Sequence, residues 1–380
     1  MRAESGEPWV ELYLDLIRSI APQLTFPLIP ILTYNFNVDS IAERGSPRNI
    51  LAGQLRRDFV VLPNGEIRLD VPGGNLLYAA AGLAVWEPSP QPGLVSRVGE
   101  DFPEEWLAEF SRRGFDVRGI NVLDHAIDLR SFYAYRDPTQ RVEEDPMAYF
   151  SALGQPFPKD LLGYRSGNTG PDSRTRLSPT SLRHIDFVPE FLDATAAHIC
   201  PIDYLTHSLL PAILRQAGFT FITLDPPPGY MVPAFRDDIA SIVTGLNVFL
   251  PSEEEARALY HGSSPDLWEI AEVFSSYGCE IIVIKRGERG QLLYDSTTRK
   301  RWEIPAYPVE IYDPTGAGDA FCGGFLAGYR RTFDPVQAAV YGNISASLVI
   351  EGQGPFYALD SLPSLAEARF DALLQSVREV

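Results

Sequence analysis

The amino-acid sequence predicts an α/β fold in which a mostly parallel central sheet is covered by helices on both faces. Three observations carry that prediction. After residue 189, short apolar runs (AAHICPID, FTFITLDPP, IVTGLNVFLP, EIIVIKRG) alternate with amphipathic stretches (LLPAILRQAG, SEEEARALY, LWEIAEVFSSYG). Strands buried on both faces read as continuous apolar runs, and the helices between them are the crossovers of a parallel sheet. Asn64-Gly65, between FVVLP and EIRLDV, marks a hairpin outside this alternation. The stretch DPTGAGDAFCGGF, residues 313 to 325, sets a glycine-rich turn between an apparent strand and an apparent helix.

The elements follow in order from about residue 48. NILAGQL reads as a strand, and the hairpin spans about residues 59–71. After Gly73-Gly74, NLLYAAAGLAVW has helix-forming residues with Leu77, Ala80, Ala81 and Ala84 on one side. GLVSRVG is a short strand, and FPEEWLAEFSRRGF an amphipathic helix with Trp106, Leu107 and Phe110 inward. LRSFYAYR alternates like a half-buried strand. Residues 137–189, rich in proline, glycine, serine and arginine, are too long for an ordinary connection and read as an insertion. Its aromatics Tyr149, Phe150, Phe157 and Tyr164 could reshape a pocket or pack on the outside. GQLLYD and RKRWEIPAY form a second hairpin. The rest is helical: DAFCGGFLAGYRR, PVQAAVYGNISASLVIE and, within 361–380, SLAEARFDALLQSV packed on a domain of residues 48–360. Residues 1–47, with Pro8, Pro22, Pro27, Pro30 and Pro47, precede this scheme as an N-terminal extension with one helix at about 8–20.

Composition narrows the function. Fifty acidic against 32 basic residues leave a net charge of −18, which opposes the phosphate neutralisation that nucleic-acid binding requires. No nucleic-acid partner is expected. The early TFPLIPIL is too short and proline-broken to cross a membrane, and a cytoplasmic protein is expected. Cys200, Cys279 and Cys322 form no CxxC pair and read as small buried residues of a reducing compartment. The five histidines lack ligand spacing and read as ordinary core or surface residues.

The turn at 313–319 is not a dinucleotide fingerprint, because Phe321 stands where the third glycine would be, and no Gly-Lys-Ser/Thr follows it. Asp319 alone would read as a helix-start partner worth about 1 kcal/mol. A cap, however, does not need glycines at both 316 and 318. Glycines there leave the amides open, and the combination reads as an anion hole with a base beside it.

This stretch resembles the C-terminal signature of the ribokinase-like, or pfkB, carbohydrate kinase family, Asp-Thr-x-Gly-Ala-Gly-Asp, with Pro314 in place of Thr. The resemblance implies a three-layer α/β/α fold with a small β lid, the 59–71 hairpin. It implies that Asp319 takes the proton of the acceptor hydroxyl while the amides of Gly316, Ala317 and Gly318 hold the transferring phosphoryl group. Gly73-Gly74-Asn75 is similar to the family's sugar-site element, and Asp58 holds the place of an acid at the end of the first strand that accepts from vicinal hydroxyls. Gly99 and Asp101 match the N-terminal signature, with Pro103 in place of a later glycine. Glu255 matches the Asn-x-x-Glu element linked to Mg2+, although Ser252 replaces the Asn and would cap the following helix equally well. Lys285, Gly287, Asp313, Thr315 and Asn343 fall on the nucleotide side. The match runs over roughly 48–355.

The function so implied is ATP-dependent phosphorylation of a hydroxyl on a sugar or related polyol, with Mg2+ and a monovalent cation such as K+ as cofactors and a homodimer clasped through the lid. A nucleoside acceptor is the alternative. A ribokinase-fold binding or regulatory protein without turnover is the alternative of another class, and a nicotinamide oxidoreductase lacks its fingerprint.

Overall fold

The computed structural model describes residues 45–89, 91–166, 170–260 and 266–380, and its elements lie in the unit Ser46–Val380. The expected helix at 8–20 falls outside them. Strands are β1 (Asn49–Ala52), β2 (Arg56–Val61), β3 (Ile67–Gly73), β4 (Gly93–Val98), β5 (Asp116–Val122), β6 (Arg130–Asp137), β7 (Gln140–Val142), β8 (Ala196–Ile199), β9 (Phe221–Leu224), β10 (Val248–Phe249), β11 (Ile281–Lys285), β12 (Gln291–Asp295), β13 (Lys300–Ile304) and β14 (Arg378–Glu379). Helices are α1 (Asn75–Ala84), α2 (Glu104–Arg112), α3 (Pro146–Ala152), α4 (Tyr204–Gln216), α5 (Ile239–Val243), α6 (Glu253–Ala258), α7 (Leu267–Ser276), α8 (Ala317–Thr332), α9 (Pro335–Ile350) and α10 (Pro363–Leu374).

Among the described residues, ten strands form one sheet in the order β14-β13-β12-β11-β10-β9-β8-β1-β4-β5. From β11 to β5 the pairs are parallel, and β12, β13 and β14 are added antiparallel. The apolar runs are buried on both faces, as their sequence predicts. Leu51, Val248 and Val283 pack with α1, α8 and α9 on one side. Ile50, Ile222 and Ile284 pack with α4, α5 and α7 on the other. Alternate residues of one strand thus feed two cores, which makes three layers.

A second sheet, β3-β2-β6-β7, carries the predicted hairpin and part of the expected insertion. The β2–β3 connection is longer than the two-residue turn that Asn64-Gly65 predicts. Gly65 N–H bonds Leu62 O at 2.9 Å and Leu62 N–H bonds Glu66 O at 2.8 Å, and Gly65 alone in the turn has positive φ, 84°. Asn64 stays out of the left-handed region because its Oδ1 accepts from Glu66 N–H, giving the three-residue loop that ends in a bulge. Phe59, Val61, Phe132 and Ala134 form one face of this sheet with Phe150, Leu161 and Phe157, so the first half of the insertion is the sheet's outer layer. The opposite face carries Asp58, Val60, Tyr133 and Tyr135.

The second half is stitched to the body by polar side chains. Arg97 of β4 pairs with buried Asp186 at 2.9 Å, Gln54 bonds Thr180 at 3.1 Å, and Asp172 accepts from Tyr204 N–H. Cys200, Cys279 and Cys322 are free and buried. His198 and His207 are core residues bonded to Thr223 and Tyr230. No helix among the described residues is long and apolar enough to cross a membrane.

Candidate active site

The parallel strands end along one edge, where ligands of α/β sheets collect because strand ends and helix starts converge there. From β9 the chain runs into Asp225, from β11 into Arg286-Gly287, from β10 into Ser252 and α6, and from β1 into Gly53-Gln54. The 313–319 turn opens α8 at the same edge. Gly316 is its N-cap with φ 75°, and a Cβ there would lie 2.0 Å from the Tyr78 ring. Only glycine meets both conditions. The first-turn N–H groups of α8 have no intrahelical acceptor. Ala317 N–H leans on Pro314 O at 3.4 Å, and Gly318 is exposed.

Asp319 lies in the first turn of α8. Burial pushes its carboxyl up to about 6, against Lys285 and Arg141, which favour the charge, while Glu255 adds to the rise. Lys285 donates to Asp225 Oδ2. The Cys322 thiol, 3.7 Å from that ammonium, donates to the same oxygen at 3.4 Å. Burial alone would lower the Lys285 pKa, yet Asp225, Cys322 and Glu255 hold it above the ordinary range. Its Nζ lies 3.6 Å from where a Gly318 Cβ would be, so the ammonium borders the amides.

Asp225 is 3% exposed, and its Oδ1 has no hydrogen-bond partner. Burial pushes its carboxyl up to about 6. Glu255, pushed up to about 7 by burial and then by Asp225, forms a reciprocal cap with Ser252: Ser252 N–H to Glu255 Oε2 at 2.7 Å and Glu255 N–H to Ser252 Oγ at 3.1 Å. The serine that replaces the expected Asn is therefore a helix cap. Gly287 begins a short 3₁₀ turn with φ 56°.

Asp58 sits within β2 of the small sheet, not at the end of the first strand where the sequence reading placed it, because the chain turns at Gly53 to start a new sheet. It is 2% exposed, its Oδ1 has no partner, and burial pushes its carboxyl up to about 7 despite Arg56 and the Gly74 N–H. A Cβ on Gly73 would lie 1.8 Å from Asp58 Oδ2, so the carboxylate rests on the glycine backbone. Asn75 opens α1, where Oδ1 accepts from Gln54 N–H at 2.8 Å and Nδ2 donates to Pro201 O at 2.6 Å. That amide ties the ends of β1 and β8 together.

Asp313 and Thr315 meet the small sheet. Asp313 pairs with Arg68 at 2.9 Å, and Thr315 Oγ1 bonds the Tyr135 hydroxyl at 3.0 Å. Asn343 is turned inward. Its Nδ2 donates to Gln291 Oε1 and Pro305 O, and its Oδ1 accepts from Tyr307 N–H. These bonds use the carboxamide to hold α9 against the β12–β13 hairpin.

Sequence reasoning missed Asp225 and Arg141. An acid directly after the apolar run FITL was the available signal for the first. Arg141 lies on β7, inside what reads as irregular insertion. Its guanidinium stands 5.0 Å from the Tyr133 ring centroid, pairs with Glu143 at 2.5 Å and favours the charged form of Asp319.

Residues 193–361 match the model of the pfkB family carbohydrate kinases. The chain is 31% identical over 288 residues to the cytidine kinase of Thermococcus kodakarensis, covering 74% of this chain and 88% of that one. It is 32% identical over 331 residues to the 5-dehydro-2-deoxygluconokinase of Clostridium perfringens, covering 78% and 88%. An E. coli protein described as ribokinase II, solved with ATP and Mg2+, superposes with a TM-score of 0.61 at 20% identity, over 86% of this chain and 99% of that one. The chain belongs to the pfkB family of carbohydrate kinases. It is a ribokinase-like small-molecule kinase, a phosphotransferase that acts on a hydroxyl acceptor.

Proposed function

We propose that the protein transfers the γ-phosphoryl group of ATP to a hydroxyl of a sugar ring that presents vicinal hydroxyls, with Asp319 as base and the amides of residues 316–318 as anion hole. The observation that carries the reading is the placement of Asp319 beside exposed first-turn amides and a buried ammonium, at the edge where the strands end. A carboxyl near 6 is ionised at neutral pH and still accepts a proton. Phosphoryl transfer passes through a loose transition state whose charge spreads over the phosphoryl oxygens, so positioning and positive groups do most of the work. The α8 amides, Lys285 and Arg141 supply that field.

Mg2+ fits the carboxylates present. Asp225 Oδ1 is a buried oxygen without a partner, and Glu255 lies near enough to raise its own pKa through Asp225. Among the described residues no group of three or more His, Cys, Asp or Glu could hold a metal. Beside nucleotide phosphates, Mg2+ is usually held by only one or two carboxylates. When bound it would neutralise charge developing between the β- and γ-phosphates. The solved relative with ATP and Mg2+ supports both cofactors.

At the other substrate, Asp58 Oδ1 offers an unspent acceptor on a carboxylate seated against the Gly73 backbone. Tyr78 packs against Gly316 and is influenced by both Asp58 and Asp313, which ties the proposed acceptor side to the 313–319 turn. A nucleoside acceptor is supported by the match to a cytidine kinase over 88% of that chain. In that reading Asp58 holds the ribose. A screen of free sugars and nucleosides for ATP consumption and phosphorylated product decides between them. Asp58→Ala should raise the acceptor KM by about tenfold or more and leave ATP affinity unchanged; selective loss of ATP binding would show the two pockets assigned the wrong way round.

A further inference from the structure

We propose that Arg68 is a built-in counter-ion for the turn that forms the anion hole, carried on the small sheet, and that it stands in for an added monovalent cation. The inference rests on the kinase reading above. Asp313, three residues before Gly316, is 1% exposed. Its carboxylate takes Arg68 Nη1 at 2.9 Å, Thr315 N–H at 3.0 Å and Gly354 N–H at 3.5 Å. Among these partners Arg68 brings the full positive charge. The guanidinium also fills the space between the 313 turn and the 354 turn, since a Cβ on Gly354 would lie 2.9 Å from Arg68 Nη2. A carboxylate this deeply buried is costly without a partner charge. A monovalent cation would need that charge unneutralised, and here it would meet a guanidinium. The K+ expected from family resemblance therefore does not fit at Asp313.

Arg68 comes from β3, whereas Asp313 belongs to the body. Further bonds join the same two parts. Tyr135 of β6 bonds Thr315 at 3.0 Å, and Glu66 accepts from the Tyr312 hydroxyl at 2.5 Å and from Gln353 Nε2 at 2.6 Å. All of them reach the turn or the loop beside it. Withdrawal of the small sheet would strip the counter-charge from Asp313 and the bonds from Thr315 and Tyr312 in one movement. The anion hole is thus completed by the sheet that bears Asp58, which couples its assembly to closure over the acceptor.

The test compares nucleotide affinity by calorimetry, melting temperature and turnover in KCl, NaCl and tetramethylammonium chloride at equal ionic strength. Wild type should give the same values within about twofold in all three salts, and a gain in affinity or turnover of more than about fivefold specific to K+ would overturn the proposal. Arg68→Met should lower nucleotide affinity by about tenfold or more, Arg68→Lys should recover part of it, and the Arg68→Met/Asp313→Asn pair should lose less than the two single changes combined. Arg68→Met with wild-type affinity, or a double variant no better than the sum of the singles, would also overturn it. If Arg68→Met fails to fold, the lysine variant and the neutral double variant carry the comparison. Absence of product with every acceptor would count against the kinase reading instead, because the binding and melting measurements decide the counter-ion question without turnover.

Discussion

Asp58 and Asp319 are carboxylates raised toward neutrality by burial, and the ligand-free protein bears a cost for that. For Asp58 the folded value, about 7, lies above the unfolded value of about 3.9. The fold therefore favours the protonated form. Its contribution to stability is complete below about pH 4 and lost as pH rises through about 7. Asp58→Asn should raise the melting temperature of the ligand-free protein at pH 8 and change it little at pH 4.5, measured by calorimetry at both pH values. An equal shift at both would mean that the carboxyl is not the source. Single residues were also where the sequence was least legible. Asn343 sits among small residues that suit a pocket wall and a packed helix equally, and its partners are Gln291, Pro305 and Tyr307. Asp225 and Lys285 are 60 positions apart and meet only because β9 and β11, on either side of β10, end along the same edge of the sheet.

At the scale of elements, periodicity carried most of the fold. The runs that become β8, β9 and β11 were legible because a strand buried on both faces has few polar positions to interrupt it, here His198 and Thr223, which bond each other. The glycines at 323 and 324, inside the run DAFCGGFLAGYRR that reads as helical, prove to be helix-packing residues. A Cβ on Gly323 would lie 1.8 Å from Ala79 O, and one on Gly82 2.1 Å from Ala320 O, so α1 and α8 touch backbone to backbone. Gly323→Ala should destabilise the protein by about 1–3 kcal/mol, the usual cost of overpacking, seen as a lower urea midpoint with unchanged slope. An unchanged midpoint would mean that the helices can part freely. The 137–189 segment was opaque for a different reason. It is held by Asp172, Asp186 and Thr180 reaching distant partners, and such bonds leave no period in the sequence.

On the scale of the whole molecule, a chain of net charge −18 receives a polyanionic substrate. Its bases are placed to permit this: Lys285 beside the α8 amides, Arg141 acting on Asp319, and Arg68 neutralising Asp313. Two of these three come from the small sheet, which also carries Asp58. In the proposed reading, α8 and the large sheet supply the base, the amides and one cation, and the small sheet supplies the other two cations. The most direct measurement is single-turnover phosphoryl transfer from ATP to the acceptor found in the screen, for wild type and Asp319→Asn, across pH 5 to 9. The wild-type rate should fall as pH drops through about 6, where Asp319 protonates. The variant should lose about 10²–10⁴-fold in rate and the acid limb with it, while ATP affinity stays within about twofold. Transfer by Asp319→Asn at close to the wild-type rate would contradict its role as the base.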